Sequence, residues 1–236
     1  MEKVAIFILP FLLFECHPPG FYEQGNGKRV NETFQVENFS KLTIGGAYHI
    51  ILGKGDKNLV IIDTDENLIK YIDVEVVGKT LYISNDNYVL KSNKGNEIVV
   101  VYNEIEEILI NGACKLRNEG VLETKFLSVI MGGAGLIELE VDTKELFIEI
   151  SGAGAVVLSG SSDYQSVHLS GAGGYDGKEL FSKTCDVRIS GMGGAEIYVE
   201  EKLNAQISGL GGVRYQGEPE DISTEISGLG TVVNAE

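Results

Sequence analysis

The chain has 236 residues, of which 43% are hydrophobic and 23% charged, and it carries a formal net charge of −16 at pH 7. With 30 glycines and only 4 prolines, this composition supports one sizeable core and excludes wholesale disorder, a collagen-like repeat and a proline-rich linker. The acidity, with Lys and Arg scattered along the chain, argues against nucleic acid or an anionic membrane surface as a partner.

The N-terminal segment is typical of an export signal. An apolar run over residues 4–14 is too short to span a bilayer, and Cys16 follows almost at once, as in the signal peptide of a bacterial lipoprotein. We predict a signal peptide over residues 1–15, lipidation of Cys16 and a flexible tether over residues 16–30. Glu15 stands where such a signal has a small residue, so ordinary secretion remains the alternative.

The segment over residues 31–105 is rich in predicted strands but irregular. Its apolar and alternating runs are separated by glycine-containing turns, and residues 66–72 (ENLIKYI) are compatible with one short helix. Residues 43–47 (TIGGA) look like a degenerate copy of a motif that recurs later in the chain. We expect this segment to form a β-rich cap on the more regular part that follows.

Residues 106–236 contain an internal repeat of 18 to 20 residues. Each copy has an aliphatic residue, called position zero here, followed two residues later by glycine, and in the last five copies serine stands between them. Position zero is assigned to Ile110, Ile130, Ile150, Leu169, Ile189, Ile207 and Ile226. The corresponding corner glycines are Gly112, Gly132, Gly152, Gly171, Gly191, Gly209 and Gly228.

This repeat predicts an all-β fold, a right-handed parallel β-helix of about 19–20-residue coils that is continuous over residues 31–236. Glycine permits a turn and a close approach to the neighbouring coil. The motif does not complete the dinucleotide-binding fingerprint Gly-x-Gly-x-x-Gly. Cys185 falls on an inward column with Phe126 and Leu146, whereas Cys114 stands in a glycine position almost four coils away. A disulfide between the two cysteines is therefore not expected.

A family resemblance is carried by three stretches of the chain. The repeated ISGxG corners, residues 41–55 (KLTIGGAYHIILGKG) and residues 213–232 (VRYQGEPEDISTEISGLGTV) resemble the head GIN domain, a family of suspected auto-transporter adhesins. The resemblance implies a β-helix and an exported protein, in many cases a lipoprotein, at the outer membrane or cell surface of a diderm bacterium. It brings no catalytic or ligand residues that can be transferred to this chain.

Two rows of side chains are candidates for a binding surface. The first is the serine row beside the corner glycines, whose hydroxyls either meet a ligand or satisfy corner backbone groups. Its members are Ser151, Ser170, Ser190, Ser208 and Ser227. The second is the pair Tyr198 and Tyr215 on successive coils, because tyrosine rings stack on sugars, although the column of Tyr215 also holds inward aliphatic residues.

An enzymatic alternative rests on Asp176 and Glu196. The two carboxylates share a column, which places them on neighbouring coils about 4.8 Å apart, near the separation of a retaining glycosidase. The other interpretation is that they are two solvated acids of an acidic protein. No metal site or cofactor motif is recognised, and the three histidines lack metal-ligand spacing.

The sequence thus favours a non-enzymatic envelope or surface protein that binds a glycan, matrix or envelope partner through one face of a β-helix. A polysaccharide lyase or glycoside hydrolase is the alternative, favoured if Asp176 and Glu196 converge in a groove with a basic neighbour. A structural envelope component is a third possibility, favoured by an exposed apolar patch on the final coil.

Overall fold

The protein is a β-solenoid built from stacked parallel coils of about 19 residues, with about seven turns in its regular part, and 71% of the described residues are in strands. The computed structural model describes residues 21–85 and 88–235. The β-helix class predicted from the repeat is therefore confirmed. The segment over residues 66–72 contains one 3₁₀ turn, Ile69–Tyr71, where a short helix was expected.

Nine strands form the N-terminal part. They are β1 (Phe21–Gln24), β2 (Arg29–Gln35), β3 (Lys41–Ile44), β4 (His49–Lys54), β5 (Leu59–Asp65), β6 (Asp73–Val77), β7 (Thr80–Ser84), β8 (Tyr88–Lys91) and β9 (Glu97–Tyr102). The β1 and β8 strands form a small separate sheet, and the other seven belong to the large sheet of the solenoid.

Eleven strands form the regular part of the stack. They are β10 (Glu107–Ile110), β11 (Ala113–Glu119), β12 (Leu122–Met131), β13 (Ala134–Ile150), β14 (Ala153–Leu169), β15 (Gly174–Ile189), β16 (Met192–Tyr198), β17 (Lys202–Ile207), β18 (Leu210–Gln216), β19 (Asp221–Ile226) and β20 (Leu229–Asn234). Neighbouring coils pair in parallel throughout this part.

The coil that ends at Leu169 illustrates how the repeat folds. After the glycine corner the chain runs along a first face, from which Val156 points into the interior. It bends at Gly160, whose φ of 108° is in the region that favours glycine. It then returns along a last face that buries Val167 and Leu169. Alternation along the strands thus places every second side chain of these faces inside the coil, and the buried rows merge into one continuous core.

The register of one coil differs from the sequence assignment. Met131, not Ile130, pairs with Ile110 below and Ile150 above, so the repeat lengths on either side change by one residue. The stretch VIM (residues 129–131) is apolar throughout, and the sequence alone therefore does not decide whether Ile130 or Met131 is the inward residue. Because Val129 and Met131 are buried, Ile130 lies on the outer side of the strand.

The same shift corrects the inward column that contains Cys185. Leu127 occupies the position that the sequence assigned to Phe126, and the Phe126 side chain is 40% exposed. Cys185 itself is buried between Gln165 and Leu203. Both described cysteines are free thiols, as the column positions predicted.

The N-terminal part adds two coils to the stack and closes its end. Ile44 pairs with Ile110, which confirms that residues 43–47 are a copy of the corner motif. The β3 and β4 strands stack under β10 and β11, and β7 and β9 stack under β3 and β4. Antiparallel strands then follow, with β5 on β9, β2 on β5 and β6 on β7.

Candidate functional site

The glycine corner forms a column along the whole stack. A Cβ added to Gly171 would collide with the backbone of Gly152 in the coil below, and the same collision recurs at each level. The glycines with this collision are Gly112, Gly133, Gly152, Gly171, Gly191, Gly209 and Gly228, and Gly46 is the base of the column, met by Gly112. Gly133 therefore takes the corner position that the sequence assigned to Gly132, as follows from the register of Met131. These glycines serve the close stacking of coils.

The serine row lies beside this column on the outside of the molecule. All five side chains are exposed, and none of their hydroxyls makes a hydrogen bond within the described residues. The backbone N–H groups of Ser170 and Gly171 already donate to the carbonyl oxygen of Ile150, and the other corners repeat this pair. The explanation that the serine hydroxyls satisfy corner backbone groups is therefore wrong, and the row is an open hydroxyl ladder.

An aliphatic ladder follows directly on the serine row. It consists of Ala113, Ala134, Ala153, Ala172, Met192, Leu210 and Leu229. The last three members are large and exposed, with Leu229 at 78%. The exposed apolar surface thus increases toward the C-terminal end of the stack.

The two candidate tyrosines do not form a common surface. Tyr215 pairs with the buried Ile197 and packs against the core. Tyr198 is one position further along its strand, so its ring points outward, where it meets Phe181 at a centroid distance of 4.8 Å in an edge-on arrangement. The predicted tyrosine platform is therefore wrong for this pair.

Asp176 and Glu196 do lie in a groove. They pair in register on neighbouring coils, as the sequence predicted. The groove has a volume of about 680 Å³, and its floor is the backbone of Gly174, Gly194 and Gly212. We call it the carboxylate groove.

Each carboxylate of this groove has a basic neighbour. The Lys178 ammonium lies 2.7 Å from Asp176 Oδ2, and the Arg214 Nε lies 3.9 Å from Glu196 Oε1. The hydrogen bond and charge of Asp176 raise the pKa of Lys178 above its ordinary value. The groove and the basic neighbours are thus two of the features expected for the enzymatic alternative, and each carboxylate is engaged with its own cation.

A second groove, of about 650 Å³, runs along the corner at the end of the first face. We call it the lysine groove. One wall carries Glu123, Asp142, Ser161, Phe181 and Glu200 from successive coils, and the other carries Lys125, Lys144, Asp163 and Lys183. Lys54 closes the N-terminal end. The groove therefore crosses five coils parallel to the solenoid axis, which is the shape needed for an extended ligand.

The lysines of this groove differ in how they are neutralised. Lys183 lies 2.6 Å from Asp163, and this hydrogen bond and charge raise the pKa of the ammonium and lower the pKa of the carboxyl. Lys54 is paired with Glu123 at 3.0 Å. Lys125 and Lys144, by contrast, are exposed and make no salt bridge within the described residues.

These two lysines stand directly above one another. They lie between the register pairs Thr124–Thr143 and Phe126–Glu145, so their backbones are about 4.8 Å apart. Like charges opposite one another on neighbouring strands are destabilising. Asp163, the next residue of the column, attracts Lys144 through its charge, but its carboxylate is hydrogen-bonded to Lys183. An anionic group of a ligand would relieve the repulsion between Lys125 and Lys144.

The floor of the lysine groove is held by buried hydroxyl groups. Ser162 Oγ donates to the Tyr164 carbonyl at 2.8 Å, and Ser182 Oγ donates to the Tyr198 carbonyl at 2.6 Å. Thr143 occupies the same column one coil below and also donates to a carbonyl. The corner is thus rigidly hydrogen-bonded, and only the wall residues are available to a ligand.

Sequence reasoning missed the lysine groove, although a signal was present. Lys125, Lys144 and Lys183 stand at equivalent positions of three coils. They are visible once every column of the repeat is written out, rather than the glycine and serine columns alone. The error of one residue at Ile130 hid the alignment of Lys125 with Lys144.

Three further observations bear on function. Within residues 21–85 and 88–235 no group of three or more His, Cys, Asp or Glu side chains is arranged to hold a metal ion. A helix long and apolar enough to cross a membrane does not occur in that part of the chain. The predicted signal peptide and the lipidation at Cys16 lie outside the described residues. The flexible tether predicted over residues 16–30 is wrong from residue 21 on, because Phe21–Gln24 pairs with β8 and β2 begins at Arg29.

Comparison with protein families gives one match over most of the chain. A family model described as "Putative auto-transporter adhesin, head GIN domain" matches residues 38–219. A search of the curated proteins gives no significant match.

Several solved structures have the same fold. A putative adhesin from Bacteroides fragilis has a TM-score of 0.85 at 23% identity and covers 90% of this chain and 99% of its own. A putative lipid binding protein from Parabacteroides distasonis has a TM-score of 0.75 at 20% identity, covering 91% and 100%. A putative adhesin from Parabacteroides merdae has a TM-score of 0.69 at 18% identity, covering 92% and 100%.

Proposed function

Because the chain belongs to the head GIN domain family of putative auto-transporter adhesins, we propose that it is an exported envelope protein that binds an acidic glycan in its lysine groove. It acts by holding the polymer and leaves it uncut. The observation that carries this proposal is the in-register pair of Lys125 and Lys144, neither of which makes a salt bridge within the described residues, in a groove that crosses five coils.

The lysine groove has the contact chemistry of a sugar site. Its walls supply ammonium groups for carboxylate or sulfate, the hydroxyl of Ser161, and the ring of Phe181, which is 55% exposed. An exposed aromatic ring provides an apolar surface for the C–H face of a sugar ring. The spacing of the lysines by one coil suits a ligand that repeats along its length.

The overall acidity of the chain does not prevent such binding. Four lysines and four acids line the groove, so it is neutral on a molecule whose net charge is −16. At physiological ionic strength the screening length is about 8 Å, and the charges nearest to the ligand therefore dominate. Acidic glycan would be repelled elsewhere on the surface and accepted here.

The proposal is tested with polygalacturonate, which carries one carboxylate per sugar, and neutral dextran as the comparison polymer. We expect calorimetric binding of polygalacturonate and none of dextran. Lys125→Gln combined with Lys144→Gln should weaken binding at least tenfold, since each lost contact to a charged group is worth about 1.5–3 kcal/mol.

A matched control is provided by Lys57→Gln with Lys94→Gln, because both lysines are exposed and lack a salt bridge in the described part of the chain. This control should bind like the parent. If both double variants lose binding equally, the loss comes from the change in net charge and the groove is ruled out as the site. Unchanged binding in the Lys125/Lys144 variant would also rule out the groove.

A polysaccharide-active enzyme remains the second candidate, favoured by Asp176, Glu196, Lys178 and Arg214 in the carboxylate groove. Incubation of the protein with polygalacturonate distinguishes cleavage from binding. New reducing or unsaturated ends in the polygalacturonate, lost in Asp176→Asn, would establish cleavage and replace the binding role. A polymer of unchanged length supports the adhesin-like function.

The proposal includes a lipid anchor at Cys16 that holds the protein at the outer membrane. It rests on the apolar run over residues 4–14 that precedes this cysteine. In the native bacterium, we expect the parent chain in the detergent-rich phase and a Cys16→Ser variant in the aqueous phase. Retention of the variant in the detergent phase would exclude the anchor.

A further inference from the structure

The two ends of the solenoid are built differently. At the N-terminal end, antiparallel strands β2, β5 and β6 cover the coil formed by β7 and β9. At the C-terminal end, β19 pairs with β17 and β20 pairs with β18. Neither of these last strands has a partner strand on its outer edge within the described residues. The final coil therefore presents an open cross-section of the stack.

This cross-section is apolar. Ile222 and Ile226 belong to the columns of Leu203 and Ile207, which are buried in the coil below. In the final coil the two isoleucines are 45% and 46% exposed. Leu229, at the adjoining corner, is 78% exposed. We call the surface formed by Ile222, Thr224, Ile226, Leu229 and Val232 the terminal face.

The edge of β19 also offers backbone groups. The N–H groups of Asp221 and Ser227 donate to carbonyls of the coil below. Since the backbone groups of successive residues point to opposite sides of a strand, the N–H and C=O groups of Ile222 and Thr224 point toward the open edge. Natural proteins usually cover or charge such an edge, because it is a template for pairing with another strand.

Charge is absent from much of this surface. The β20 strand, LGTVVN, contains no charged residue. The Asp221 carboxylate at the start of β19 is paired with Lys202 at 2.8 Å. Glu225 points outward, in the column of Gln206. Glu218 and Glu220 are exposed in the turn before β19. In an antiparallel pair of β19 strands these acids lie at opposite ends of the junction and do not face one another across it. The remaining surface is apolar and uncharged, so a second copy of this acidic chain can approach there.

We propose that the terminal face binds the terminal face of a second copy of this chain, related by a two-fold axis, so that the edge strands of the two copies pair antiparallel. The inward columns of both copies would then continue through the junction and bury their isoleucines. A head-to-tail stack is disfavoured because the antiparallel strands at the N-terminal end do not repeat the cross-section of a coil. The contact therefore closes as a dimer.

Dimerisation gives each particle two lysine grooves on one extended solenoid. Two linked sites on a repeating polymer bind more tightly than one, without any new contact to the sugar. The dimer itself does not depend on the proposed glycan function, and it is measured in the absence of any ligand.

The test measures the mass of the purified full chain by light scattering after size exclusion, over a range of micromolar concentrations. We expect twice the mass of the purified chain, which is 25.6 kDa for the whole sequence and less by the signal peptide when residues 1–15 are removed. Leu229→Lys should give the monomer by placing a charge on the apolar corner. Thr224→Pro should do the same, because it removes an edge N–H without breaking a bond to β17.

Val77→Lys is the control, since Val77 is 58% exposed on β6 at the opposite end. It should remain a dimer, and all variants should keep the β circular dichroism of the parent. Hydrogen exchange adds a local readout, with protection of β19 and β20 that rises with protein concentration. A parent chain that is monomeric throughout, a dimer that survives both terminal-face substitutions, or a series of growing oligomers would each overturn the proposal.

Discussion

At each corner of the stack a glycine lies directly over the backbone of the glycine one coil below. Gly171 has this position over Gly152, and an added Cβ would meet backbone atoms that cannot move aside. Gly174, three residues further on, is different, because the nearest atom to an added Cβ is 3.9 Å away. Two glycines of one corner are thus under different constraints.

We expect Gly171→Ala to destabilise the protein by roughly 1–3 kcal/mol, as other substitutions that overfill a packed site do. Gly174→Ala is the matched control and should change stability little. The measurement is the urea dependence of unfolding followed by circular dichroism. Equal destabilisation by both substitutions would mean that backbone flexibility, and not the close approach of coils, explains the corner glycines.

The serine beside each corner glycine illustrates the opposite case. Ser170 donates its backbone N–H to Ile150, but its hydroxyl makes no bond within the described residues. The residue type is therefore not required by the corner. An exposed hydroxyl ladder next to an aliphatic ladder is available for binding, although the lysine groove has the better-defined walls.

At the scale of elements, polar residues inside the core join the faces of successive coils. The Tyr175 hydroxyl donates to Gln165 Oε1 at 2.9 Å, and Gln165 Nε2 donates to Ser182 Oγ at 2.6 Å. All three side chains are buried. These bonds link β14 with β15, and Ser182 continues to the Tyr198 carbonyl in β16. The network fixes the corner that forms the floor of the lysine groove.

The strand β12 determines which side chains reach that groove. Its inward residues are Leu127, Val129 and Met131, and this register aligns Lys125 with Lys144. Both lysines face outward because the alternation breaks after them, where Lys125 and Phe126 are both exposed. A shift by one residue would turn the whole set to the other side of the sheet. The lysine groove therefore depends on the same register that the aliphatic stretch VIM left ambiguous in the sequence.

For the molecule as a whole, the core contains ionisable groups that are held in their neutral form. Burial raises the pKa of the Cys185 thiol and of the Tyr175 hydroxyl well above their ordinary values, and it raises the pKa of Cys114 to about 11. The thiols are therefore unreactive near neutral pH. Their burial also links stability to alkaline pH.

The sign of this dependence follows from the protons bound in each state. In the unfolded chain the Cys185 thiol ionises near its ordinary pKa of 9.0, whereas in the folded chain it stays protonated to higher pH. Its contribution is complete below pH 9 and decreases as the pH rises from there toward the folded pKa. Per group, the loss is at most about 1.4 kcal/mol for each pH unit.

We expect the free energy of unfolding to fall above pH 9, and to fall less steeply in Cys185→Ala. The measurement is urea unfolding at a series of pH values from neutral to alkaline. Cys185→Ala also leaves a small cavity, which lowers stability at every pH. The readout is therefore the slope of the unfolding free energy against pH, not its value at pH 7. Identical slopes for parent and variant would exclude the buried thiol as a source of the alkaline loss.

The sequence by itself determined the solenoid, its coil length, the column of corner glycines with one exception, and the separation of the two cysteines. It could do so because parallel coils repeat their contacts, so each column of side chains appears in the sequence as a period. The stacking of Asp176 on Glu196 was predictable for the same reason.

Only the tertiary structure decided which columns form walls, floors and ends. The direction of Tyr198, the register at Met131 and the exposure of Ile226 depend on neighbouring coils and not on local spacing. A side chain in an inward column is buried only where a coil covers it on both sides. The same aliphatic column is core in one coil and open surface in the last, and so the lysine groove and the terminal face could be found only in the folded chain.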